Sequence, residues 1–309
     1  MFQVHDIIPD VHGQVEKLRA ALKNLGYERR GGSWRSPSAN RRCVFLGDFI
    51  DRGLHNAEVL QIVRSMRDDG VALAVMGNHE LNAIHFHTPN PATGAPLRAH
   101  STKNVRQHGS FLKEFPVGAA RTQEIIDWMK GLALFAEVAD FRAVHACWDE
   151  ARIEGLKAAT TGGVLGHELL VRAADKGDPL HDLVETTTKG PETALPQGYA
   201  FADKDGHVRD RVRLRWWEAT ASTWQEVAIS VPDPEELPGG LLPEDLRSRA
   251  YGQDAPPVFF GHYWMTGTVK MQAHNALCLD YSAGKGGPLV SYVHQTGEAL
   301  ALEHVRVHG

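Results

Sequence analysis

The sequence predicts an α/β protein built on a parallel sheet, and two observations indicate this fold class. Three times in the first 80 residues, a short apolar run is followed by a polar loop and then by helical periodicity. This βαβ order is typical of parallel sheets, in which the carboxyl ends of the strands meet at one edge. Each polar loop also follows its strand directly, so its side chains are expected at that edge, where open α/β sheets bind ligands.

Composition is that of a globular protein without membrane segments. The 309 residues are 42% hydrophobic and 23% charged, which suits one domain with a sizeable core. The formal charge of −5 argues against a nucleic-acid partner bound by bulk electrostatics. No signal-peptide pattern or apolar run of membrane-spanning length is present, and the three cysteines lie in apolar runs typical of reduced core residues. We therefore expect a cytoplasmic protein with no membrane partner.

The first repeat supplies two side chains that can bind a metal ion. Residues 2–8 predict a strand, and Pro9 leads into Asp10 and His12. In extended backbone these two side chains point to the same side, because they are two residues apart. Apolar positions at helical spacing then predict a helix over residues 14–25.

The second repeat carries the densest group of charges. The apolar run at residues 43–46 predicts a buried strand, and the heptapeptide GDFIDRG follows at residues 47–53. Asp48 lies at the end of the strand, and Asp51 and Arg52 follow within a few residues. Three charges beside an apolar strand are costly unless a cation and an anionic substrate compensate them. A polar loop with a surface Asp–Arg pair is the alternative.

The third repeat and the rest of the chain complete the predicted order. Residues 56–67 predict a helix and residues 71–76 a strand that ends at Gly77-Asn78-His79-Glu80. Residues 86–121 predict a surface excursion whose histidines are interpreted as solvated or as supporting groups. The remaining predictions are a helix at 123–130, strands at 134–138 and 141–146 joined at Ala139–Asp140, helices at 151–170 and 180–188, a hairpin within 199–217 that turns at Asp205–Gly206, and strands at 258–260, 276–281, 289–294 and 299–307.

Six side chains at predicted strand ends form a candidate metal site. Three are imidazoles and three offer oxygen, a mixture that suits borderline or hard divalent ions. Six protein ligands are too many for one catalytic ion that keeps an open position, but they suit two ions that share a carboxylate. These residues are Asp10, His12, Asp48, Asn78, His145 and His262.

The order of these motifs resembles the phosphoprotein-phosphatase-type, or calcineurin-like, metallophosphoesterases. The family includes protein serine/threonine phosphatases and symmetrical diadenosine tetraphosphate hydrolases. The matching motifs are Asp10-x-His12-Gly13, GDFIDRG, Gly77-Asn78-His79-Glu80, the strand-end His145 and Gly261-His262. The resemblance implies a four-layer α/β/β/α sandwich over residues 1–309, with a dinuclear metal site at the carboxyl edge of the strands. It also implies that residues 150–255 are a family-variable insert or cap.

The resemblance further implies a division of labour among the site residues. One ion would bind Asp10, His12 and Asp48, and the other Asp48, Asn78, His145 and His262. Arg52 would hold phosphate oxygens, and His79, held by Asp51, would protonate the leaving oxygen after in-line attack by a metal-bridging hydroxide. Mn²⁺ is the first expectation, with Fe, Zn, Ni, Co or Mg as alternatives.

Four features depart from the family pattern or extend it. Pro9 stands where the family usually has glycine, and Tyr263-Trp264 follows the last histidine in place of Thr-Pro. The Ser-Ala-Pro-Asn-Tyr segment of eukaryotic protein phosphatases is replaced by residues 279–282. Arginines alternate along residues 209–215, and Arg213 or Arg215 is the candidate for an additional phosphate contact.

Three functions remain open from the sequence. The first is a dinuclear-metal phosphatase of phosphomonoesters, whose partner is a phosphorylated protein, nucleotide or small molecule. The alternative is a hydrolase of dinucleoside polyphosphates. A non-catalytic metal-binding scaffold is the third, although Asp51, Arg52 and His79 are not needed to bind a metal.

Overall fold

A computed structural model describes residues 2–138, 140–203, 206–247 and 250–308. The strands in chain order are β1 (Val4–Ile8), β2 (Glu28–Arg30), β3 (Ser33–Arg35), β4 (Arg41–Phe45), β5 (Ala72–Ala74), β6 (Phe135–Val138), β7 (Phe141–Val144), β8 (Glu192–Ala194), β9 (Phe201–Ala202), β10 (Val208–Arg209), β11 (Arg211–Leu214), β12 (Ala228–Ile229), β13 (Val258–Phe260), β14 (Ala276–Cys278), β15 (Leu289–Gln295) and β16 (Val305–His308).

Helices connect and cover these strands. They are α1 (Val15–Asn24), α2 (Asn56–Asp68), α3 (Asn78–His87), α4 (Thr102–Gln107), α5 (Gly109–Glu114), α6 (Ala120–Lys130), α7 (Glu150–Ala159), α8 (His167–Ala174), α9 (Pro179–Lys189), α10 (Trp224–Val227) and α11 (Glu244–Arg247), with 3₁₀ turns at Pro234–Glu236, Ala283–Lys285 and Leu302–His304. No helix within the described ranges combines the length and apolar character that a membrane crossing needs.

Two sheets carry the strands that lead to the predicted site. The first has five strands in the order β16-β15-β1-β4-β5, and β1, β4 and β5 run parallel. The second has four strands in the order β14-β13-β7-β6, of which β7, β13 and β14 run parallel. Parallel strands place their carboxyl ends together, so each sheet offers one edge for functional loops.

Alternating side chains show how the sheets are layered. Ile7, Val44 and Phe259 lie in a buried cluster between the two sheets, whereas their neighbours Ile8 and Phe45 face outward into the cluster formed with the helices. This alternation follows from the period of two along a strand. Helices α1 and α2 contact the first sheet. The predicted four-layer α/β/β/α arrangement is therefore confirmed.

A smaller third cluster lies in the region predicted as an insert. It gathers apolar side chains between Leu195 and Leu246, around the sheet of β8, β11 and β12 and helix α10. Helices α7 and α9 belong instead to the large cluster, through Ile153 and Val184. The insert over residues 150–255 stays a prediction.

Several predicted elements differ in detail from the structure. The helix expected over 151–170 is divided into α7 and α8, because Gly162 and Gly163, both at positive φ, turn the chain between them. The excursion at 86–121 contains helices α4 and α5. The strand expected at 299–307 begins only at Val305, after a 3₁₀ turn. Ala139 of one predicted turn and Asp205 of another lie outside the described residues.

Candidate metal centre

The six predicted ligands meet at one place because both sheets direct their carboxyl ends there. Asp10, Asp48 and Asn78 follow β1, β4 and β5 of the first sheet. His145 and His262 follow β7 and β13 of the second. The two sheets therefore contribute to one site, and its ligand side chains are buried.

Asp48 lies at the centre of the cluster. Its Oδ1 is 3.4 Å from His145 Nε2 and its Oδ2 is 3.5 Å from His12 Nε2. Two groups of three residues each present ligand atoms within 4.8 Å of one another, namely His12 with Asp48 and His79, and Asp48 with His145 and His262. Asp48 belongs to both groups, as expected of a carboxylate shared by two ions.

The other two predicted ligands join the same cluster. Asn78 Oδ1 lies 3.1 Å from His145 Nε2 and 2.9 Å from His262 Nδ1. Asp10 accepts the backbone N–H of His262 at 3.1 and 3.2 Å, and its Oδ2 lies 3.9 Å from His12 Nε2. The structure thus brings all six residues together.

The loops that carry these residues hold an unusual backbone conformation. His12, Asp48, Asp51, Arg52 and His262 all have positive φ, between 48° and 75°. For residues with a Cβ, this left-handed region costs about 1–2 kcal/mol each. Such strain persists only where the surroundings enforce it, and it concentrates at functional sites.

Close backbone contact between the loops enforces this conformation. A Cβ on Gly13 would lie 2.9 Å from the carbonyl carbon of Gly53, and one on Gly53 would collide with the His12 carbonyl oxygen. Glu80 accepts the backbone N–H groups of Asp48 (2.8 Å), Phe49 (2.8 Å) and Gly77 (3.0 Å). This role of Glu80 was not predicted from the sequence, although the GNHE motif contains the residue.

Backbone carbonyls orient two imidazoles toward the site. His12 Nδ1 lies 2.9 Å from the Ile50 carbonyl oxygen, and His145 Nδ1 lies 2.8 Å from that of Leu46. A carbonyl only accepts, so each Nδ1 donates and Nε2 is directed into the cluster. In the part of the chain that is described, the buried His12 Nε2 has no hydrogen-bond partner. This donor set of carboxylates, an amide oxygen and oriented imidazoles fits divalent ions.

The electrostatics of the protein groups alone also favour a cation. Burial acts against ionisation of Asp48, but the neighbouring imidazoles of His145 and His79 hold the pKa of Asp48 well below its usual range. Burial, and next the charge of Asp280, raise the pKa of Asp10 well above it. Burial lowers the pKa of His145, yet Asp48 and Asp10 raise it to about 10. The cluster thus holds protons that a divalent ion would displace.

Beside the ligands, Asp51 links two histidines. His79 Nδ1 donates to Asp51 Oδ2 at 2.6 Å, and His108 Nδ1 donates to Asp51 Oδ1 at 2.8 Å. Burial works to raise the pKa of Asp51, but the hydrogen bonds from His108 and His79 lower it to about 2, so Asp51 accepts as a carboxylate. His79 Nε2 consequently faces the cluster, 3.9 Å from Asp48 Oδ2.

His108 is one of the histidines interpreted from the sequence as solvated or as supporting groups, and the structure shows that it contacts Asp51. It lies between α4 and α5, is buried, and packs on Phe111, with ring centroids 4.6 Å apart. Its Nε2 lies 3.3 Å from His87 Nε2. No local pattern marks it, because its contact with Asp51 spans 57 positions of the sequence.

Arg52 and the aromatic pair after His262 lie close to the cluster. The Arg52 guanidinium is 4.0 Å from the centre of the Trp264 ring, which also stacks on His12 at 5.2 Å. Cation–π contact of this kind orients the guanidinium. Tyr263 is buried in the core, where its hydroxyl accepts from Trp216 at 3.0 Å.

The two arginines suggested for an additional phosphate contact differ in position. Arg213 pairs with Glu192 at 3.3 Å. Burial, and next the charge of Arg213, lower the pKa of His262 well below its usual value. Arg215 instead donates to the Glu226 carbonyl oxygen at 3.4 Å. Their role in substrate binding stays a prediction.

The chain belongs to the calcineurin-like phosphoesterase family, whose match extends over residues 6–186. This range contains five of the six candidate ligands, together with Asp51, Arg52 and His79. Membership confirms the family resemblance of the motifs.

Two of the proteins with similar sequences are bis(5'-nucleosyl)-tetraphosphatases. The asymmetrical bis(5'-nucleosyl)-tetraphosphatase of Halalkalibacterium halodurans is 43% identical over 74 residues, 24% of this chain and 30% of that protein. The symmetrical bis(5'-nucleosyl)-tetraphosphatase of Aromatoleum aromaticum is 26% identical over 139 residues, 45% of this chain and 42% of that protein. The matches thus span less than half of each relative.

A solved structure extends the likeness to the whole fold. The cold-active protein-tyrosine phosphatase of a psychrophilic Shewanella species covers 100% of this chain and 81% of its own, with a TM-score of 0.54 and 17% identity. At this identity the likeness concerns the fold alone.

Proposed function

We propose that this protein hydrolyses the phosphoanhydride bridge of dinucleoside polyphosphates. One observation carries the proposal: a cavity of about 420 Å³ is lined by Asn78, His79 and Arg52 together with Arg98 and Arg106. A phosphomonoester offers one phosphate to such a cavity, whereas a polyphosphate bridge places a negative charge on each of several. The names of the two tetraphosphatase relatives support the same substrate class.

The residues present fit a pair of divalent ions, and we expect Mn²⁺. Asp10, His12 and Asp48 would hold one ion, and Asp48, Asn78, His145 and His262 the other. Divalent ions bound there would supply Lewis-acid stabilisation of the phosphoryl oxygens and activation of water at neutral pH. A cytoplasmic location remains a prediction, in keeping with the three buried free cysteines.

The side chains of the chain itself would perform the remaining tasks. Arg52 would bind two non-bridging oxygens through its planar guanidinium. In its doubly protonated form, His79 would donate the Nε2 proton to the leaving phosphate oxygen, while Asp51 accepts the Nδ1 proton and stabilises the imidazolium. Trp264 keeps the Arg52 guanidinium in place by ring contact.

A substrate panel on the Mn²⁺-loaded protein tests the proposal. Diadenosine tetraphosphate, p-nitrophenyl phosphate and a phosphopeptide are compared by kcat/KM at one salt concentration. We expect diadenosine tetraphosphate to be preferred by at least about ten-fold, equivalent to ~1.4 kcal/mol of additional transition-state binding. A preference for the phosphopeptide or the aryl phosphate would overturn the dinucleotide substrate while leaving the metal-dependent hydrolysis intact.

Phosphomonoester hydrolysis is the second candidate function. It is favoured because one phosphate group needs only the metal ligands, His79, Asp51 and Arg52. Neither Arg98 nor Arg106 is required for its hydrolysis. A non-catalytic scaffold is not supported. Both carboxylate oxygens of Asp51 accept hydrogen bonds from histidines, so this residue is not used as a metal ligand, and a scaffold would have no need of it.

A further inference from the structure

Two arginines line the same cavity as Asn78, His79 and Arg52. Arg98 follows α3, and its backbone N–H donates to the His85 carbonyl oxygen at 2.9 Å. Arg106 lies in the last turn of α4. Both belong to the segment 86–121, whose polar composition predicts only a surface excursion. The fold instead turns this segment back onto the catalytic edge through the contact of His108 with Asp51.

The charge of these arginines is not balanced by ion pairs. Arg98 donates to the neutral oxygens of Asn82 (2.8 Å) and Gln107 (3.1 Å). Among the described residues, the side chain of Arg106 has neither a hydrogen bond nor an ion-pair partner. Asp51 is the one carboxylate among the described residues lining the cavity, and its oxygens are used by His79 and His108.

The environment of Arg98 favours an anionic ligand over plain solvation. Burial lowers the pKa of Arg98 from its ordinary value, which shows that its charge is partly removed from water. A guanidinium in that position is stabilised by an anion whose oxygens accept hydrogen bonds from two of its N–H groups at once. Ser110 adds an unused donor, because its buried Oγ lacks a partner within the described ranges and its residue lines the same cavity.

We propose that Arg98, Arg106 and Ser110 form a second anion site, which binds phosphate groups beyond the one that is attacked. The ligand class is a linear polyphosphate chain, whether free or carrying nucleosides. The inference rests on the proposed function for its biological substrate, but the binding itself does not depend on it. Asn82 and Gln107 position the Arg98 guanidinium for this contact.

Selectivity measurements on single variants test the site. In R98Q and R106Q, KM for diadenosine tetraphosphate should rise about ten-fold more than KM for p-nitrophenyl phosphate, which corresponds to one lost charge-assisted contact of ~1.4 kcal/mol. R98K should lie between wild type and R98Q, since lysine keeps the charge but not the fork. R106Q removes no internal contact, so its result cannot be attributed to a folding defect.

The matched control is R121Q. Arg121 lies over the Phe115 ring at 5.0 Å and lines a different cavity, beside Arg64. This variant loses one positive charge at a comparable surface position, and it should keep the wild-type ratio of the two KM values. An equal change in both KM values for R98Q and R106Q would show that the arginines act only through general electrostatics, and it would overturn the second site.

A second measurement remains informative if dinucleotides prove not to be substrates. Inorganic tripolyphosphate is used as an inhibitor of p-nitrophenyl phosphate hydrolysis, with free Mn²⁺ held constant. Its inhibition constant should rise about ten-fold in R98Q and in R106Q, while that of orthophosphate changes less. Removal of Mn²⁺ by tripolyphosphate would affect wild type and variants alike. Equal inhibition constants in all three proteins would refute the site independently of the proposed function.

Discussion

In the proposed mechanism, proton transfer depends on the pair formed by His79 and Asp51. The imidazole is oriented through Nδ1, so that Nε2 points to the cluster of ligands. Burial lowers the pKa of His79, but Asp48 and Asp51 raise it above its ordinary value, so the imidazole retains its proton further into the neutral range. The same geometry leaves two roles open to His79, proton donor or metal ligand, because its Nε2 lies near Asp48.

Replacement of His79 by alanine separates these two roles. As a proton donor, His79 should be worth about 10²–10⁴ in kcat, and the loss should be smaller for p-nitrophenyl phosphate, whose leaving group needs little protonation. Metal content measured by elemental analysis should equal that of the wild type. A variant that loses one of its ions would instead assign His79 as a ligand.

His108 is expected to act as a positioning residue through Asp51. Leucine at this position removes the hydrogen bond to Asp51 Oδ1, and kcat should fall about ten-fold if ~1.4 kcal/mol of orientation is lost. Asparagine can donate from nearly the same place as Nδ1, so H108N should recover most of the activity. The loss in H108L should be larger for an alkyl phosphate than for p-nitrophenyl phosphate. If both variants lose the same activity on both substrates, a purely structural role is established.

At the scale of elements, the site depends on two loops that touch through glycines. Gly13 ends the loop after β1, and Gly53 ends the loop after β4. Their backbones are so close that neither position has room for a side chain. His12, Asp51 and Arg52, whose backbones are in the left-handed conformation, lie on these loops. The contact between the two glycines therefore holds the candidate ligand His12 and the proposed phosphate-binding Arg52 in a fixed relative position.

A methyl group added at Gly53 should therefore disturb both loops at the edge of the sheet that carries the candidate metal site. In G53A the new Cβ would meet the backbone of His12 and Gly13, which cannot rotate away, and the free energy of unfolding should fall by at least ~1–3 kcal/mol, the usual cost of overpacking. Denaturant unfolding and Mn²⁺ affinity measure the effect. G239A is the matched control, because Gly239 is exposed and a methyl group there would have nothing within 4 Å of it. Equal stability of the two variants would contradict the contact.

Strand β1 carries a buried histidine that should make stability depend on pH. Burial, followed by the charge of Arg42, lowers the pKa of His5 to about 4, whereas an unfolded histidine has its ordinary value of 6.5. Between these values the unfolded chain binds a proton that the folded chain does not. The contribution of neutral His5 to the free energy of unfolding is thus fully present above pH 6.5, and it is lost as the pH falls toward 4.

The variant H5L should flatten this dependence. Between pH 6.5 and pH 4, His5 should lower the free energy of unfolding of the wild type by up to about 1.4 kcal/mol per pH unit. H5L should lack this contribution. Leucine also removes two buried ring nitrogens that have no hydrogen-bond partner among the described residues. Urea unfolding of both proteins at pH 5 and pH 7, in the same metal-free buffer, checks the difference. Parallel curves for the two proteins would show that His5 is protonated without penalty.

Much of the catalytic edge was predictable from local sequence. Asp10, Asp48 and Asn78 each follow an apolar run, so the parallel-strand rule alone places them at one edge. His145 and His262 come from the second sheet. Their positions at predicted strand ends placed them in the same candidate site, and only the family resemblance divided the six residues between two ions. His108, Arg98 and Arg106 were not predictable, because a polar stretch without periodicity carries no sign of where it packs. Likewise Glu80 gave no local sign that it accepts three backbone N–H groups.

For the molecule as a whole, bound ions should stabilise the sandwich. The ligands come from both sheets, and ions that bind only the folded state add RT ln(1 + [ion]/Kd), about 2.7 kcal/mol at one hundred times Kd. Mn²⁺ should therefore raise Tm by several degrees, and EDTA should reverse this shift and abolish activity.

The variant D48N supplies the control for metal binding. It removes the charge of the carboxylate that belongs to both ligand groups. Activity and the Mn²⁺-induced rise of Tm should both disappear in D48N. Chelator-resistant turnover in the wild type would rule out the two-ion site.

We propose that residues 150–255 contain the family-variable part of the chain. The family match ends at residue 186, and the separate apolar cluster begins at Leu195. Helices α7 and α9 contribute Ile153 and Val184 to the main core, and the separate cluster follows them along the chain.

The spacing of the ligands along the chain has a consequence during biosynthesis. Asp10 emerges from the ribosome long before His262, which supplies both a ligand and the N–H that Asp10 accepts. Until His262 is synthesised, the nascent polypeptide carries five of the six candidate ligands. Metal binding that uses all six residues must therefore await the synthesis of His262, well over two hundred residues after Asp10.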